Sequence, residues 1–131
     1  VIPDIPKSNN EYIGRKNIYQ YQRDKKHWCD MLWAYCRPKP PKPFEKAIVV
    51  ITYHFTDKIR RDPDNYSGKM ILDGLVRNGI LKDDSFFCIR LILDAEFGCE
   101  NKETVIELET EFLLVPVVHK LPLGVLYRLP C

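Results

Sequence analysis

The sequence predicts an α+β fold in which a single-layer mixed β-sheet packs against two α-helices. Apolar residues recur at helical spacing in two segments, and they alternate with the period of a β-strand in three others. The elements follow one another as helix, strand, helix, strand and strand, which fits a mixed sheet with both helices on one face. The chain has 131 residues, 45% of them hydrophobic, and is expected to form a single domain over residues 1–131.

The first helix is predicted over residues 17–36. Its charged side chains Arg23, Asp24 and Lys26 fall on one face. The other face consists of apolar side chains: Ile18, Tyr21, Trp28, Cys29, Leu32, Tyr35 and Cys36. Residues 37–43 read RPKPPKP and cannot continue the helix, because proline lacks the N–H group and clashes with the preceding turn.

Three strands are predicted, the first over residues 44–56. This segment is apolar on both faces, which is typical of a central, well-covered strand. Residues 86–96 form the second strand, in which Phe87, Ile89, Leu91 and Leu93 alternate with Arg90 and Asp94. The third strand follows residue 102 and has Ile106, Leu108, Phe112 and Leu114 inside, with Glu107, Glu109 and Glu111 outside. The tail, residues 116–131, is expected to wrap the domain or a partner subunit.

The most informative segment is the run Asp62-Pro63-Asp64-Asn65, which directly follows Arg60 and Arg61. The proline disfavours helical backbone for Asp62, so an extended conformation is expected. In an extended chain residues two apart point to the same side, so Asp62 and Asp64 are predicted to converge on one ion. Carboxylates next to basic residues suggest a divalent cation held against a phosphate backbone, and Mg²⁺ prefers such oxygen ligands.

A second helix is predicted directly after this run. Asp64 or Asn65 is a suitable N-cap, and Gly79 stands where a glycine commonly ends a helix. Between them Leu72, Leu75 and Val76 recur at helical spacing. On this helix Lys69 lies one turn beyond Asn65, and Asp73 lies one turn beyond Lys69. Asp83 and Asp84 precede the next strand, which can return them to the first acidic pair.

Taken in order, these residues resemble the RusA family of Holliday-junction resolvases. The similarity comprises D-x-D-N at residues 62–65, K-x-x-x-D-x-L at residues 69–75, and G-hydrophobic-x-x-D-D at residues 79–84. The N-terminal segment, residues 6–12, is similar to the P-x-S-N-N-x-Y opening of the same family. The resemblance extends from about Pro3 to Phe97.

The resemblance implies a small, homodimeric endonuclease that cuts branched DNA with Mg²⁺, for which Mn²⁺ is expected to substitute. It also implies that Asp62, Asp64 and Asp84 bind the metal and that Lys69 is the catalytic lysine. The family usually has two residues between the asparagine and the lysine, whereas this chain has three, at residues 66–68. One extra residue would rotate Lys69 by about 100° on a regular helix. A helix that starts later, at Ser67, would absorb the insertion.

The surrounding residues are assigned supporting roles. Phosphate contacts are expected from four residues beside the acidic run: Lys58, Arg60, Arg61 and Asn65. Asp73 is interpreted as a helix-surface partner of Lys69 and Arg77. It would support the metal ligands without binding the ion itself. Asp83 is interpreted as a turn residue that supports its neighbour.

Composition limits the class of protein. A formal charge of +2 excludes a DNA-binding mode that relies on overall positive charge. No stretch is long and apolar enough to span a membrane and no signal peptide is recognised, so a cytoplasmic protein is expected. The five irregularly spaced cysteines suggest free thiols in a reducing compartment. Two other functions stay open: a nuclease for other branched or single-stranded DNA, and a non-catalytic DNA-binding protein whose aspartates serve the fold.

Overall fold

The computed structural model of the protein describes residues 1–14 and 17–110. These residues form an α+β layer, as predicted, with a mixed three-stranded sheet in the order β2-β1-β3. Strand β1 is parallel to β2 and antiparallel to β3. The elements are, in chain order, α1 (Ile18–Tyr35), β1 (Ala47–His54), α2 (Lys69–Arg77), β2 (Ile89–Glu96) and β3 (Glu103–Glu109).

The core lies between the helices and one face of the sheet. Alternate residues of β1 (Ala47, Val49, Ile51 and Tyr53) are buried on this face. They belong to one apolar cluster with Trp28 and Leu32 of α1 and with Met70, Ile71 and Leu75 of α2. A fully buried Val, Leu, Ile or Met side chain of this cluster contributes roughly 1.5–3 kcal/mol. The predicted central position of the first strand is therefore confirmed.

The two helices pack against each other at Gly74, a residue of α2 that has no side chain. A Cβ atom on Gly74 would collide with the side chain of Leu32, so glycine permits this close packing. Beside it, the buried side chain of Asn78 donates hydrogen bonds to the main-chain oxygens of Cys29 (3.0 Å) and Gly74 (2.8 Å). The end of α2 is thus tied to the middle of α1.

The predicted start of the second helix at Asp64 or Asn65 is wrong, whereas its predicted end is confirmed. Residues Pro63–Tyr66 form a separate 3-10 turn, and α2 begins only at Lys69. Gly68 between them has a φ of 76°, which a right-handed helix cannot include. At the other end Gly79 has a φ of 72°, and the N–H of Ile80 donates to the carbonyl oxygen of Leu75 over 3.0 Å.

Several predicted boundaries and orientations change. The first two strands are shorter than expected, because the chain enters each through a turn or loop. Phe87, predicted to be one of the alternating apolar residues of the second strand, precedes β2 and is exposed, and Leu91 within β2 is 38% exposed. On α1 the predicted apolar face holds at Trp28 and Leu32, but Ile18 and Tyr35 are exposed, since only the middle of the helix crosses α2. In β3, Ile106 and Leu108 are half-buried and Glu107 and Glu109 exposed, as predicted.

Some predictions fall on parts of the chain that lie outside the described residues. They concern Glu111, Phe112 and Leu114 of the third strand, the tail over residues 116–131, and Cys131. The other cysteines (Cys29, Cys36, Cys88 and Cys99) have free thiols. Over the described ranges, neither helix combines the length and the apolar character that crossing a bilayer requires.

Candidate active site

The acidic run is held in place by the N-terminal segment. The side-chain amide of Asn9 donates hydrogen bonds to the carbonyl oxygen of Asp64 (2.9 Å) and to the hydroxyl of Ser67 (3.1 Å). Ser8 caps the short 3-10 turn that carries Asn9 by accepting from the N–H of Asn10. Two segments that lie far apart in the sequence therefore form one unit.

The N-terminal segment is also fastened to α1. The hydroxyl of Tyr12 donates to a carboxylate oxygen of Asp24 over 2.7 Å. Gln20 donates to the other oxygen over 2.8 Å, and the ammonium group of Lys7 lies 3.4 Å from the carboxylate. Burial alone would raise the pKa of Asp24, but these partners outweigh it and hold the pKa below its ordinary value. Asp24 thus anchors the segment that positions the acidic run.

Residues 62–66 form a turn, here called the acidic turn. Asp62 is extended, with φ −104° and ψ 138°, as predicted from the proline after it. Asp64 lies inside the 3-10 turn Pro63–Tyr66, so the expectation that both aspartates alternate along an extended chain is wrong. Both carboxylates are exposed, and that of Asp62 lies 3.3 Å from the guanidinium group of Arg60.

The acidic turn packs against two aromatic side chains, Tyr53 of β1 and Phe55 directly after it. The hydroxyl of Tyr53 donates to the carbonyl oxygen of Tyr66 over 3.0 Å. The ring of Tyr66 also packs edge-on against Phe55, with 5.3 Å between the ring centroids. Since Tyr53 and Phe55 are buried in the core, the turn is attached to the core of the domain.

Lys69 is the first residue of α2 and joins two of the predicted acidic residues. Its Nζ lies 2.8 Å from Oδ1 of Asp73 and 3.8 Å from Oδ2 of Asp84. The hydrogen bond with Asp73 is the main reason that the pKa of Lys69 is raised above its ordinary value. The ammonium group is therefore charged at neutral pH, and it faces the loop before β2.

Lys25 of α1 completes this arrangement and was missed by the sequence analysis. Its Nζ lies 3.0 Å from Oδ2 of Asp73, so Asp73 is held between two lysines. Among the described residues, this carboxylate pairs with Lys69, as predicted, and with Lys25 instead of Arg77. A signal was present, because Lys25 stands at helical spacing from the buried Trp28 and Leu32.

Asp73 is the most enclosed carboxylate of this group, which we call the lysine–aspartate cluster (Lys25, Lys69, Asp73 and Asp84). Its side chain is 15% exposed. Burial would raise its pKa, but Lys69 and Lys25 together outweigh that effect and lower it. Asp73 is thus ionised and fixes the orientation of Lys69.

The two neighbouring arginines have different environments. The guanidinium group of Arg61 forms two hydrogen bonds to Asp57, of 2.6 and 3.0 Å, and lies over the ring of Phe55 at 4.0 Å. The hydrogen bonds from Arg61 lower the pKa of Asp57 to about 2. The side chain of Arg60, in contrast, is 90% exposed. Arg61 therefore braces the loop, whereas Arg60 and the exposed Lys58 face solvent.

The remaining predicted residues lie at the edges of the site. Asn65 is half-buried within the acidic turn, where its N–H donates to the carbonyl oxygen of Asp62 over 3.1 Å. Asp83 is exposed, and a hydrogen bond from Ser85 is the main cause of its lowered pKa. This contact agrees with the turn role that the sequence suggested for Asp83.

The three predicted metal ligands are not gathered into one group. Within residues 1–14 and 17–110, no three Asp, Glu, His or Cys side chains stand close enough together to hold an ion. Asp62 is directed to Arg60, and Asp84 is directed to Lys69. The donor chemistry of the three carboxylates nevertheless suits Mg²⁺. The ion pairs of Asp62 and Asp84 are long and partly solvated, and such pairs contribute only about 0–1 kcal/mol each.

Comparison with known proteins identifies no relative of this chain. The sequence matches no protein-family model, and no curated protein is similar to it at a significant level. The resemblance to the RusA family therefore stays a prediction that depends on the residues named above.

Proposed function

We propose that the protein is a Mg²⁺-dependent endonuclease that cuts branched DNA, with a four-way junction as its preferred substrate. The observation that carries this proposal is the position of Lys69. Its ammonium group lies between Asp73 and Asp84 at the start of α2. Two residues before it, Ser67 is bonded to Asn9, which also holds the acidic turn.

Lys69 supplies positive charge to the scissile phosphate in this proposal. Its ammonium group is fixed by Asp73, which Lys25 in turn neutralises from the side of α1. A charge held in place before the reaction stabilises the negative charge that develops on the phosphate oxygens. The helix α2 starts at Lys69, two residues after the delayed start expected at Ser67. In this proposal, that late start would absorb the extra residue that sets this chain apart from the family pattern.

Asp62, Asp64 and Asp84 are the residues that would hold the Mg²⁺ ion, or Mn²⁺ in its place. When bound, such an ion polarises a phosphate oxygen and lowers the pKa of a coordinated water. Binding at all three carboxylates requires Asp62 to leave Arg60 and Asp84 to leave Lys69. These contacts are 3.3 and 3.8 Å long. Because the side chains are partly solvated, breaking each contact costs only about 0–1 kcal/mol.

The DNA backbone is contacted chiefly by Lys58 and Arg60 in this proposal, with Asn65 and Arg61 behind them. With a net charge of only +2, affinity for phosphates must come from such local groups. A four-way junction is two-fold symmetric, so paired cuts require two sites, and a C₂ homodimer supplies them. The free thiols are consistent with a cytoplasmic setting for this activity.

One observation favours a second candidate, a non-catalytic DNA-binding protein. The Lys25–Asp73–Lys69 pairs join α1 to α2, which is a structural role that needs no substrate. Under this alternative Lys69 is a helix-stabilising residue, and the exposed aspartates serve only to shape the turn. A nuclease for other branched or single-stranded DNA differs from the first proposal only in substrate geometry.

Cleavage assays separate these possibilities. The protein is incubated with a synthetic four-way junction, a flap, a single strand and a matched linear duplex, with Mg²⁺, Mn²⁺ or EDTA. We expect symmetric cuts in the junction with either metal and none in EDTA. Cleavage confined to flaps or single strands would transfer the proposal to that substrate class. Binding without cleavage under every condition would favour the non-catalytic alternative.

A further inference from the structure

The loop between α1 and β1 concentrates the positive charge of the protein. Within residues 37–46, here called the basic loop, four side chains are basic and one, Glu45, is acidic. The resulting formal charge of +3 exceeds the +2 of the whole chain, so the other residues together are slightly negative. The basic residues of the loop are all exposed: Arg37, Lys39, Lys42 and Lys46. Such local clustering of positive charge on a nearly neutral protein is typical of a surface that binds nucleic acid.

The charges of the basic loop are not balanced by acidic neighbours. Among the residues that the structure describes, none of its four basic side chains forms an ion pair with a carboxylate. Glu45 pairs over 3.5 Å with Lys82, a further basic residue that lies outside the loop. The guanidinium group of Arg37 lies 3.9 Å from the ring centroid of Trp33 and donates to its main-chain oxygen, so its charge also stays uncompensated. A polyanion would therefore complement this surface.

The main chain of the basic loop is held at both ends. The N–H of Cys36 donates to the carbonyl oxygen of Leu32 over 3.0 Å. At the other end, the N–H of Phe44 donates to the carbonyl oxygen of Ile80 over 2.9 Å. Proline fixes φ at four positions between them, residues 38, 40, 41 and 43. Binding to the loop therefore requires little further ordering of its main chain.

The basic loop also lies close to the candidate site. The N–H of Lys82 donates to the carbonyl oxygen of Phe44 over 3.0 Å, and two residues later Asp84 lies 3.8 Å from Nζ of Lys69. Two residues of extended chain span at most about 7 Å, so only a short stretch separates the loop from Lys69. The length of α2 gives a similar scale. Lys69 begins this helix of 9 residues, which is about 13 Å long, and Ile80 beyond its end contacts Phe44.

We propose that the basic loop binds the phosphate backbone of one arm of the branched DNA, a few base pairs from the bond that is cut. This inference rests on the proposed function and adds a second DNA contact to it. About 13 Å along a duplex corresponds to roughly four base pairs, because successive phosphates of one strand are 3.4 Å apart along the axis. Phosphate contacts fix the register and orientation of a protein on DNA without reading its sequence. The loop would therefore orient the arm relative to the candidate site.

The test measures the salt dependence of DNA binding by the complete protein. Fluorescence anisotropy gives Kd for a four-way junction in EDTA, where no cleavage is expected, between about 50 and 200 mM salt. In Lys42→Ala/Lys46→Ala, the slope of log K against log salt should be smaller by about 2, because each lost phosphate contact removes about 0.9. Junction affinity at about 100 mM salt should fall about tenfold or more. Lys42→Arg/Lys46→Arg should bind as the wild type does, because it keeps both charges.

Lys26→Ala/Lys102→Ala is the matched control, since it also removes two charges from exposed residues. Each of these lysines already pairs with a carboxylate, Lys26 with Asp30 at 3.1 Å and Lys102 with Asp4 at 2.8 Å. The salt slope of this control should stay close to that of the wild type. The thermal unfolding of each variant is recorded, and Lys42→Ala/Lys46→Ala should unfold as the wild type does because it removes no buried contact.

A second measurement locates the contact on the DNA. Neutral methylphosphonate linkages replace phosphates about three to five base pairs from the branch, on one arm at a time. They should weaken junction binding by the wild type on one pair of arms. They should weaken binding by Lys42→Ala/Lys46→Ala much less, because that variant no longer contacts those phosphates. Equal weakening of the two proteins on every arm would overturn the proposed contact.

The outcomes distinguish this inference from the proposed function. The expected salt slopes in a wild type that cuts no DNA would support the basic loop and reject the nuclease. A wild type that cuts junctions, with unaltered slope and affinity in Lys42→Ala/Lys46→Ala, would overturn the loop inference alone. Binding to vesicles of phosphatidylcholine and phosphatidylserine that this variant loses, with DNA affinity unchanged, would assign the loop to a membrane surface and overturn it as well. A wild type that binds no DNA would overturn both.

Discussion

The side-chain amide of Asn9 donates a hydrogen bond of 2.9 Å to the main-chain oxygen of Asp64, a residue 55 positions later in the sequence. The same amide donates to the hydroxyl of Ser67 over 3.1 Å. Asn9 therefore connects the start of the chain to both ends of the stretch that leads from the acidic turn into α2. If the carboxylates of this turn act on a substrate, their position depends on this residue.

Replacing Asn9 tests this dependence. Asn9→Ala should lower the free energy of unfolding by only about 1 kcal/mol, because its hydrogen bonds are solvent-exposed. Cleavage of a junction should fall by about tenfold or more, since a misplaced turn disturbs the alignment of reacting groups. Asn10→Ala is the control at a neighbouring exposed asparagine. Equal cleavage rates for the two variants would remove Asn9 from the positioning of the site.

Asp73 is expected to stabilise the fold in a pH-dependent manner. Asp73→Asn leaves Lys25 and Lys69 facing each other without the carboxylate, which should cost about 1–3 kcal/mol at neutral pH. The pKa of Asp73 is lowered in the folded protein, so its contribution is complete above the ordinary value of 3.8 and disappears as the pH falls through the lowered value. Urea unfolding of the wild type and of Asp73→Asn at about pH 7 and about pH 3 measures how the difference in their free energy of unfolding changes with pH.

A surface carboxylate provides the comparison. Asp30 pairs with Lys26 over 3.1 Å on the exposed side of α1, with 66% of its side chain accessible. Asp30→Asn should change the free energy of unfolding by less than about 0.5 kcal/mol at either pH. A wild-type advantage over Asp73→Asn that stays constant on acidification would contradict the assigned ion pairs.

Lys69 and Lys25 share a carboxylate but should differ in activity. Lys69→Ala should lower the single-turnover cleavage rate on the order of 10²-fold, because a fixed charge near the phosphate is lost. Junction affinity should change little, since one phosphate contact among many contributes little to binding. Lys25→Ala removes the partner on α1 and should affect stability more than the cleavage rate. An unchanged cleavage rate in Lys69→Ala would exclude Lys69 from stabilising the phosphate charge and would indicate that Arg60 does so instead.

The protein is expected to be a homodimer at micromolar concentration. The reason is the two-fold symmetry of a four-way junction, which requires two equivalent sites for paired cuts. Light scattering with and without junction DNA measures the mass, which should correspond to two chains of 15.4 kDa. A monomer under both conditions would be incompatible with paired cleavage by a single assembly.

Much of the fold follows from hydrophobic periodicity. The helix that stops before Gly79, the central strand β1 and the alternating strand β3 were all predicted, because each has a long apolar pattern and clear stop signals. The start of α2 was not. Asp64 or Asn65 as an N-cap suggested an immediate helix, but the left-handed backbone at Gly68 separates the turn from α2. A Cβ atom on Gly68 would also collide with the side chain of Ile51, a contact that the local sequence does not reveal.

The candidate site was predicted only in part. The pairing of Lys69 with Asp73 followed from their spacing on one helix, which is a local feature. The contacts of Lys25 with Asp73 and of Asn9 with Asp64 join residues that are far apart in the chain, so their geometry depends on how α1 and the N-terminal segment pack. The predicted gathering of Asp62, Asp64 and Asp84 depends on an ion and stays a prediction.

The most direct test of a metal-dependent nuclease at the acidic turn compares Asp64→Asn with the wild type in single-turnover cleavage of a four-way junction in Mg²⁺. The substitution keeps the shape of the side chain but removes a negative charge from an oxygen donor. We predict that wild type and Asp30→Asn cut the junction, whereas Asp64→Asn does not cut it and binds it at least as tightly. Cleavage by Asp64→Asn at the wild-type rate would contradict the assignment of this site.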